Sequence, residues 1–435
     1  MTDTVSEIRD AKKAALEMAA LGADVRNSAL AAMAAALEAN RAAVLEANAE
    51  DVKEAEGNVP DEILARLKVT DSKISDMVAS LKGVAELPDP IGETMSATEL
   101  DEGLVLYQIR CPIGMIGVIF ESRPDVVPQI MALCLKSGNS IAFKGGSEAR
   151  RSNRVLFDIL RDAAVSAGVP GKAFVLMETR EDIAEILKLD EYIDLLIPRG
   201  SYGFVRYIQE NTRIPVLGHS AGVCHVYVDS EADMQKALRV ALDSKIQYPA
   251  VCNAAEKLLV HSKAAAYFLP RMADLFAANG VEMRVDGRCK AHLLGFDVKD
   301  ASEEDWFAEY DSRIIAIRMV DSAEEAMDFI NTHGSHHTDC IVTENEETQR
   351  KFVRGVDSAD VFINASTRFA DGFRFGKGAE VGVSTGKIHA RGPMGMEGLT
   401  IYKYVLVGKG QTVAEYSGPD AKKYTHRHLD AVYRL

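Results

Sequence analysis

The chain has 435 residues, with 50 lysines and arginines against 65 aspartates and glutamates, a formal net charge of −15. At roughly 150 residues per domain, this length implies about two or three domains with room for a large core. Hydrophobic residues at 47% and charged residues at 26% exclude a mainly disordered, collagen-like or disulfide-scaffold chain, and the acidic balance argues against nucleic-acid binding and polybasic membrane binding.

Residues 1–20 place acids early and contain no uninterrupted apolar run, so no secretory leader is expected. Nor does any stretch reach the ~18 apolar residues that a membrane-spanning helix requires. Residues 5–56 are Ala/Glu-rich with helical spacing of apolar positions, which predicts two or three helices. ELDEGLVLYQIRCPIG (99–114) reads as strand of edge character. From about residue 115, short apolar runs alternate with amphipathic stretches. The runs are MIGVIF (115–120), SIAFK (140–144), AFVLM (173–177), DLLI (194–197) and IPVL (214–217), with helices expected over 128–136, 152–167 and 181–189. Apolar strands joined by helical crossovers imply a parallel sheet covered on both faces.

A second round starts near residue 223. VCHVYVD (223–229), KLLVH (257–261), RIIAIRMV (313–320), DCIVT (339–343) and DVFINAS (360–366) read as strands, and 231–244, 264–279 and 323–332 as helices. LTIYKYVLVGKG (399–410) alternates like another edge strand. The fold class expected is α/β: two doubly wound parallel-sheet domains plus a small β arm. The boundaries expected are 1–228 for the helices and a nucleotide-binding domain, 229–370 for a second domain, and 371–435 for a return to the first domain and the arm.

Neither standard phosphate-binding glycine loop, GxGxxG nor GxxxxGK[ST], stands at a strand-to-helix junction. Two other strand-end turns are better placed for an anion: Lys144-Gly145-Gly146-Ser147 and Arg199-Gly200-Ser201. The six cysteines are scattered, without a CxxC pair, and read as reduced thiols of a cytoplasmic protein. Cys134, Cys224 and Cys340 lie in apolar helix or strand patterns. Cys111 precedes a proline, and Cys289 sits in a charged stretch. Cys252 differs, because Pro249 and Ala250 precede it and a helix-compatible NAAEK follows; a thiol at a loop or helix start can serve as a nucleophile. His333, His336 and His337, with Asp339 and Cys340, superficially resemble a metal site, but their spacing fits no standard zinc motif and no metal is assigned. The polar runs 364–371 and 389–395 are dense in donors suited to a small anion.

PIGMIGVIFESRPDVVPQ, SGNSIAFKGGSEARRSN, LIPRGS, QYPAVCNAAEKLLVH, VFINASTRF and HARGPMGMEGLTIYKY together resemble the γ-glutamyl phosphate reductase family of the aldehyde dehydrogenase superfamily, over nearly the whole chain. The resemblance implies NADPH-dependent reduction of L-glutamyl 5-phosphate to the 5-semialdehyde in proline biosynthesis. It also implies a homo-oligomer paired through the arm, and functional coupling to glutamate 5-kinase. Carried over residue by residue, Cys252 matches the catalytic thiol, with backbone N–H groups at Cys252 and Asn253 as oxyanion donors. Lys144 matches the lysine at the adenosine ribose, Gly200 and Ser201 the turn over the pyrophosphate, and Glu309 the acid at the nicotinamide ribose. Ser147, Arg150 and Arg151 follow Lys144 closely enough to meet the 2′-phosphate of NADP. Arg123, Ser366, Thr367, Arg368 and Arg391 are candidates for gripping phosphate or the substrate's α-carboxylate.

One departure bears on mechanism. Hydrolytic aldehyde dehydrogenases carry a water-activating glutamate in a Glu-Leu-Gly-Gly motif upstream of the thiol. Here the matching residues, 217–222 (LGHSAG), hold no carboxylate, which agrees with phosphate rather than water as the acyl partner. The competing readings are another aldehyde dehydrogenase acting on a different semialdehyde, and a metal-dependent dehydrogenase or hydrolase using the histidine cluster.

Overall fold

The computed structural model describes residues 3–177, 181–219 and 221–434; strands and helices are numbered here in chain order. The chain forms two compact units, one of Met1–Gly200, Arg206–Leu217 and Gly395–Leu435, the other of Ser201–Val205 and Gly218–Met394.

The first unit begins with five helices: α1 (Asp3–Ala20), α2 (Ala23–Ala39), α3 (Arg41–Ala55), α4 (Asp61–Leu67) and α5 (Asp71–Glu86). Alanine and other strong helix formers dominate α1 to α3, and Thr70 caps α5 by accepting from Lys73 N–H. The alternating region follows as β3 (Met115–Phe120), α6 (Val126–Lys136), β4 (Ser140–Gly145), α7 (Arg150–Ser166), β5 (Phe174–Met177), α8 (Glu181–Ile186), β6 (Leu195–Arg199) and α9 (Tyr202–Asn211). Its sheet is parallel, in the order β5-β4-β3-β6. All six residues of β3 are buried, as a central parallel strand covered on both faces requires. The run 214–217 does not extend this sheet as a strand; it makes one isolated bridge, Leu196 to Val216, beside Pro215, which has no N–H to donate.

The antiparallel arm belongs to the same unit. The hairpin β1 (Thr94–Asp101) and β2 (Leu104–Pro112) is flanked by β16 (Thr400–Val407) and β17 (Arg427–Leu429), in the order β16-β2-β1-β17. β16 is therefore an edge strand and its side chains are mostly exposed.

The second unit runs β7 (Cys224–Val228), α10 (Met234–Ile246), β8 (Ala255–His261), α11 (Ser262–Ala278), β9 (Glu282–Val285), α12 (Gly287–Lys290), β10 (Val298–Asp300), β11 (Ile314–Val320), α13 (Ala323–His333), β12 (Thr338–Val342), α14 (Glu346–Gly355) and β13 (Asp360–Ile363). These seven strands form one parallel sheet, ordered β10-β9-β11-β8-β7-β12-β13. Side chains alternate faces along each strand. Val226 and Leu258 join Phe268, Met272 and Phe276 of α11, whereas Tyr227 and Leu259 join Phe329, Ile330 and Phe352. The short hairpin β14 (Gly382–Ser384) and β15 (Gly392–Met394) closes the unit.

Two boundaries differ from the sequence expectation. Residues 224–228, expected with the first domain, pair in parallel with β8 and β12 at the centre of the second sheet. Residues 371–394 also stay in the second unit, and the return to the first occurs at Gly395.

Candidate functional site

Cys252 lies between α10 and β8, in a turn closed by Ala254 N–H donating to Val251 C=O at 2.9 Å. The helix-compatible residues after it do not form a helix, because Ala255, Glu256 and Lys257 already run as β8. The thiol therefore sits on a strand-entry turn, not at a helix N-terminus. It is partly exposed, unlike Cys134, Cys224, Cys289 and Cys340, which are buried. Burial raises all four of those thiols, Cys340 to about 12.

The turn is fixed from below. Cys224 Sγ donates to Cys252 C=O at 3.1 Å. A Cβ built on Gly222 would lie 2.1 Å from that carbonyl oxygen and 2.4 Å from Cys252 Cα, so only glycine fits there. Gly222 N–H donates to the Glu309 carboxylate. Burial raises the Glu309 carboxyl to about 7, with Asp311 adding to the rise and the Gly222 bond opposing it. Asn253 is buried, and its Nδ2 donates to Ala370 C=O at 2.7 Å. That bond commits one of the two Nδ2 hydrogens to the 370 segment.

Two histidines meet the thiol. Ring nitrogens of His219 and His337 and the Cys252 Sγ all lie within 4.8 Å of one another, and the two rings are edge-to-face with centroids 4.9 Å apart. The stretch 217–222 is thus free of carboxylates but not of a base: it delivers an imidazole to the thiol. Ser220 lies outside the described residues. The histidines around 333–340, to which the sequence assigns no metal, are spread over separate partners. His333 stacks on Phe329, His336 bonds Asp357 C=O, Asp339 forms a buried pair with His225 at 2.8 Å, and only His337 faces the thiol.

Of the proposed anion ligands, Ser366, Thr367 and Arg368 form one buried turn, tied to α10 by Thr367 N–H donating to Ser244 Oγ at 3.1 Å. Arg368 Nε donates to Gln247 Oε1 at 2.9 Å. Burial lowers the Arg368 guanidinium, and the neighbouring Arg374 adds to this. Arg391 is engaged by Asp357, at 3.0 Å, and by Thr385 C=O. Arg123 lies in the first unit, just after β3.

The cofactor candidates of the first unit gather at the carboxyl end of β4. Lys144 is buried, and its Nζ donates to Gly145 C=O at 2.8 Å. Ser147 and Arg150 are exposed beside it. Arg151 instead pairs with Glu50, Asp51 and Glu54 of α3 at 3.1, 3.2 and 2.6 Å. Asp51 is itself buried and accepts from Ser152 N–H at 2.7 Å, so this contact fixes the start of α7. Gly200 and Ser201 stand exposed between β6 and α9.

His219, Gly222 and the role of His337 were not legible as site residues. A histidine inside the stretch that aligns with the hydrolytic glutamate was the available signal.

A partly exposed thiol on a strand-entry turn of a parallel α/β sheet suits the aldehyde dehydrogenase class. The model of the aldehyde dehydrogenase family matches residues 2–290, and the chain belongs to that family. Within it, the chain falls among the γ-glutamyl phosphate reductases. It is 56% identical to gamma-glutamyl phosphate reductase of Methanosarcina mazei over 98% of both chains. It also superposes on the crystal structure of gamma-glutamyl phosphate reductase from Thermotoga maritima with a TM-score of 0.92 and 38% identity, covering 94% of this chain and all of that one. Glyceraldehyde-3-phosphate dehydrogenase GapN of Methanocaldococcus jannaschii, complexed with NADP, shares the fold at a TM-score of 0.64 and 16% identity, over 94% of each chain.

Proposed function

We propose that the chain reduces L-glutamyl 5-phosphate to L-glutamate 5-semialdehyde and phosphate, with NADPH as reductant, in the proline pathway. The observation that carries this reading is Cys252 on its turn, with a base beside it that is an imidazole and not a carboxylate.

The proton economy follows from hydrogen bonding. Val383 C=O can only accept, so the bond at 2.8 Å to His219 Nδ1 makes Nδ1 the protonated nitrogen and leaves the lone pair on Nε2. His219 then takes the Cys252 proton as sulfur attacks the acyl carbon. The C–S bond forms, the C–O bond to phosphate breaks, and His219 hands the proton to the departing phosphate. Backbone N–H groups at Cys252 and Asn253 meet the oxyanion. Arg368, with Ser366 and Thr367, holds an anionic end of the substrate, and Arg391 and Arg123 are secondary to it.

Bound NADPH supplies the hydride. The donor set suits such a group: Lys144, Ser147 and Arg150 offer a buried cation and exposed donors at one strand end, with Gly200 and Ser201 for the pyrophosphate and Glu309 for a ribose. Arg151 is held by three carboxylates, so the 2′-phosphate falls to Ser147 and Arg150. Collapse of the Cys252 thiohemiacetal breaks the C–S bond and releases aldehyde and the thiolate, which takes a proton from solvent through His219. The same reading places the enzyme in the cytoplasm as a homo-oligomer paired through the arm, supplied with its labile acyl phosphate by glutamate 5-kinase.

The test is the reverse reaction. NADP⁺ reduction by glutamate 5-semialdehyde should require phosphate or arsenate, and Cys252→Ala should abolish it. Turnover without any oxyanion, or near-wild-type activity of the variant, overturns the assignment.

A further inference from the structure

We propose that His219, His337 and Cys252 form a binding site for one soft divalent cation, Zn²⁺ above all, which captures the thiol and holds the enzyme inactive. The inference rests on reading Cys252 as the reactive thiol and adds a ligand that the reaction does not use.

Three observations converge. The first is the set of atoms: two imidazole nitrogens and one sulfur within 4.8 Å of one another, the ligand types that zinc favours. Around a tetrahedral ion with Zn–S and Zn–N bonds of ~2.3 and ~2.0–2.1 Å, ligand atoms stand roughly 3.4–3.6 Å apart, so these atoms would draw together by up to about 1.5 Å.

The second is that both rings have their outer nitrogen anchored. His219 Nδ1–H donates to Val383 C=O at 2.8 Å. His337 Nδ1 lies 2.8 Å from Thr338 Oγ1, and that hydroxyl donates its one proton toward Asp360 Oδ2 at 3.4 Å. The hydroxyl must then accept from His337 Nδ1–H, which leaves the lone pair on Nε2. A carbonyl or hydroxyl behind each ring N–H is how metal-binding histidines are oriented.

The third is that His337 is fully buried and its Nε2 has no hydrogen-bond partner among the described residues. A thiol can give its proton to only one of two imidazole lone pairs. When it goes to His219, the lone pair on the buried His337 Nε2 stays unsatisfied among the described residues, which costs free energy. A cation accepts both lone pairs and the sulfur together. Binding forms one Zn–S and two Zn–N bonds, releases the Cys252 proton to solvent and transfers no electrons. Sulfur held this way has no free thiolate to offer an acyl carbon.

The experiment uses the full chain, stripped with a chelator and desalted, with Co²⁺ as the spectroscopic probe and Zn²⁺ as competitor. One Co²⁺ per chain should bind with thiolate-to-cobalt charge-transfer absorption, and Zn²⁺ should displace it. His337→Gln should weaken binding at least tenfold. Thr338→Val, which removes only the anchor behind the ring, should weaken it about 10- to 100-fold, and it carries the test if His337→Gln does not fold. Cys111→Ser, which removes the other partly exposed thiol, should leave the absorption unchanged. Absence of the charge-transfer band, full affinity in Thr338→Val, or loss of the band in Cys111→Ser overturns the proposal. Reductase activity of the metal-free chain is measured alongside. An active enzyme that binds no metal sinks this inference alone, whereas an inactive metal-free enzyme sinks the thiol mechanism itself.

Discussion

Gly222 shows how closely a backbone position can control the chemistry of a neighbouring side chain. Its N–H fixes Glu309, and its bare Cα lets the chain lie against Cys252. An added methyl would stand 2.4 Å from Cys252 Cα, and backbone, unlike the end of a long side chain, cannot swing aside. Gly222→Ala should therefore displace the thiol turn and lower kcat by about 100-fold, the cost of misplacing a reacting atom by ~1 Å. Steady-state kinetics beside a thermal melt check this: wild-type kcat would show that the turn has slack. Nothing in LGHSAG as a string of letters marks this glycine. Its role arises from a close approach between segments 30 residues apart in number, which no local pattern records.

The elements divide by the same rule. Apolar strands and amphipathic helices declare themselves through periodicity, so five of the seven strands of the second sheet, and helices α10, α11 and α13, were legible, whereas the short β9 (Glu282–Val285) and β10 (Val298–Asp300) carry too few residues to show a period. The loop carrying Glu309 has no period, and only the family resemblance pointed to it. Its shape depends on buried Asp305, which accepts from Ser302 N–H at 2.8 Å, Arg284 at 2.6 Å and Tyr310 Oη at 2.7 Å. Lys257 Nζ adds a bond to Ala308 C=O at 2.6 Å, one residue before Glu309. Burial alone would raise the Asp305 carboxyl, but the Ser302, Tyr310 and Arg284 bonds outweigh it and hold the group well below the usual carboxylate range. A depressed carboxyl stabilises the fold above its unfolded pKa of about 4, and that stability is lost as pH falls through the folded value. Tyr310→Phe removes one hydrogen bond to the charged form and should cost about 1.5–3 kcal/mol at pH 7. The difference from wild type should shrink in strong acid, where Asp305 is protonated in both. Urea unfolding at pH 7 and across the acid limb measures it; a pH-independent difference would mean that the hydroxyl serves packing and not the carboxylate.

For the molecule as a whole, the net charge of −15 and the ligands of the proposed reaction have the same sign. On the proposed reaction, attraction is local, resting on cations such as Lys144 and Arg150 for the cofactor and Arg368 for the substrate. The cysteines are organised with similar economy. Four of the six are buried and two are partly exposed, and of these two burial raises the Cys111 thiol. Alkylation follows thiolate population and access. A small alkylating reagent on the native chain should therefore modify Cys252 first, Cys111 more slowly, and the other four only once urea opens the cores. Peptide mass mapping over time reads this directly. Early labelling of Cys224 would be the telling failure. Its sulfur donates to the Cys252 carbonyl from beneath the turn, so its exposure would mean that the strand end opens in the native state and that the thiol has no rigid seat.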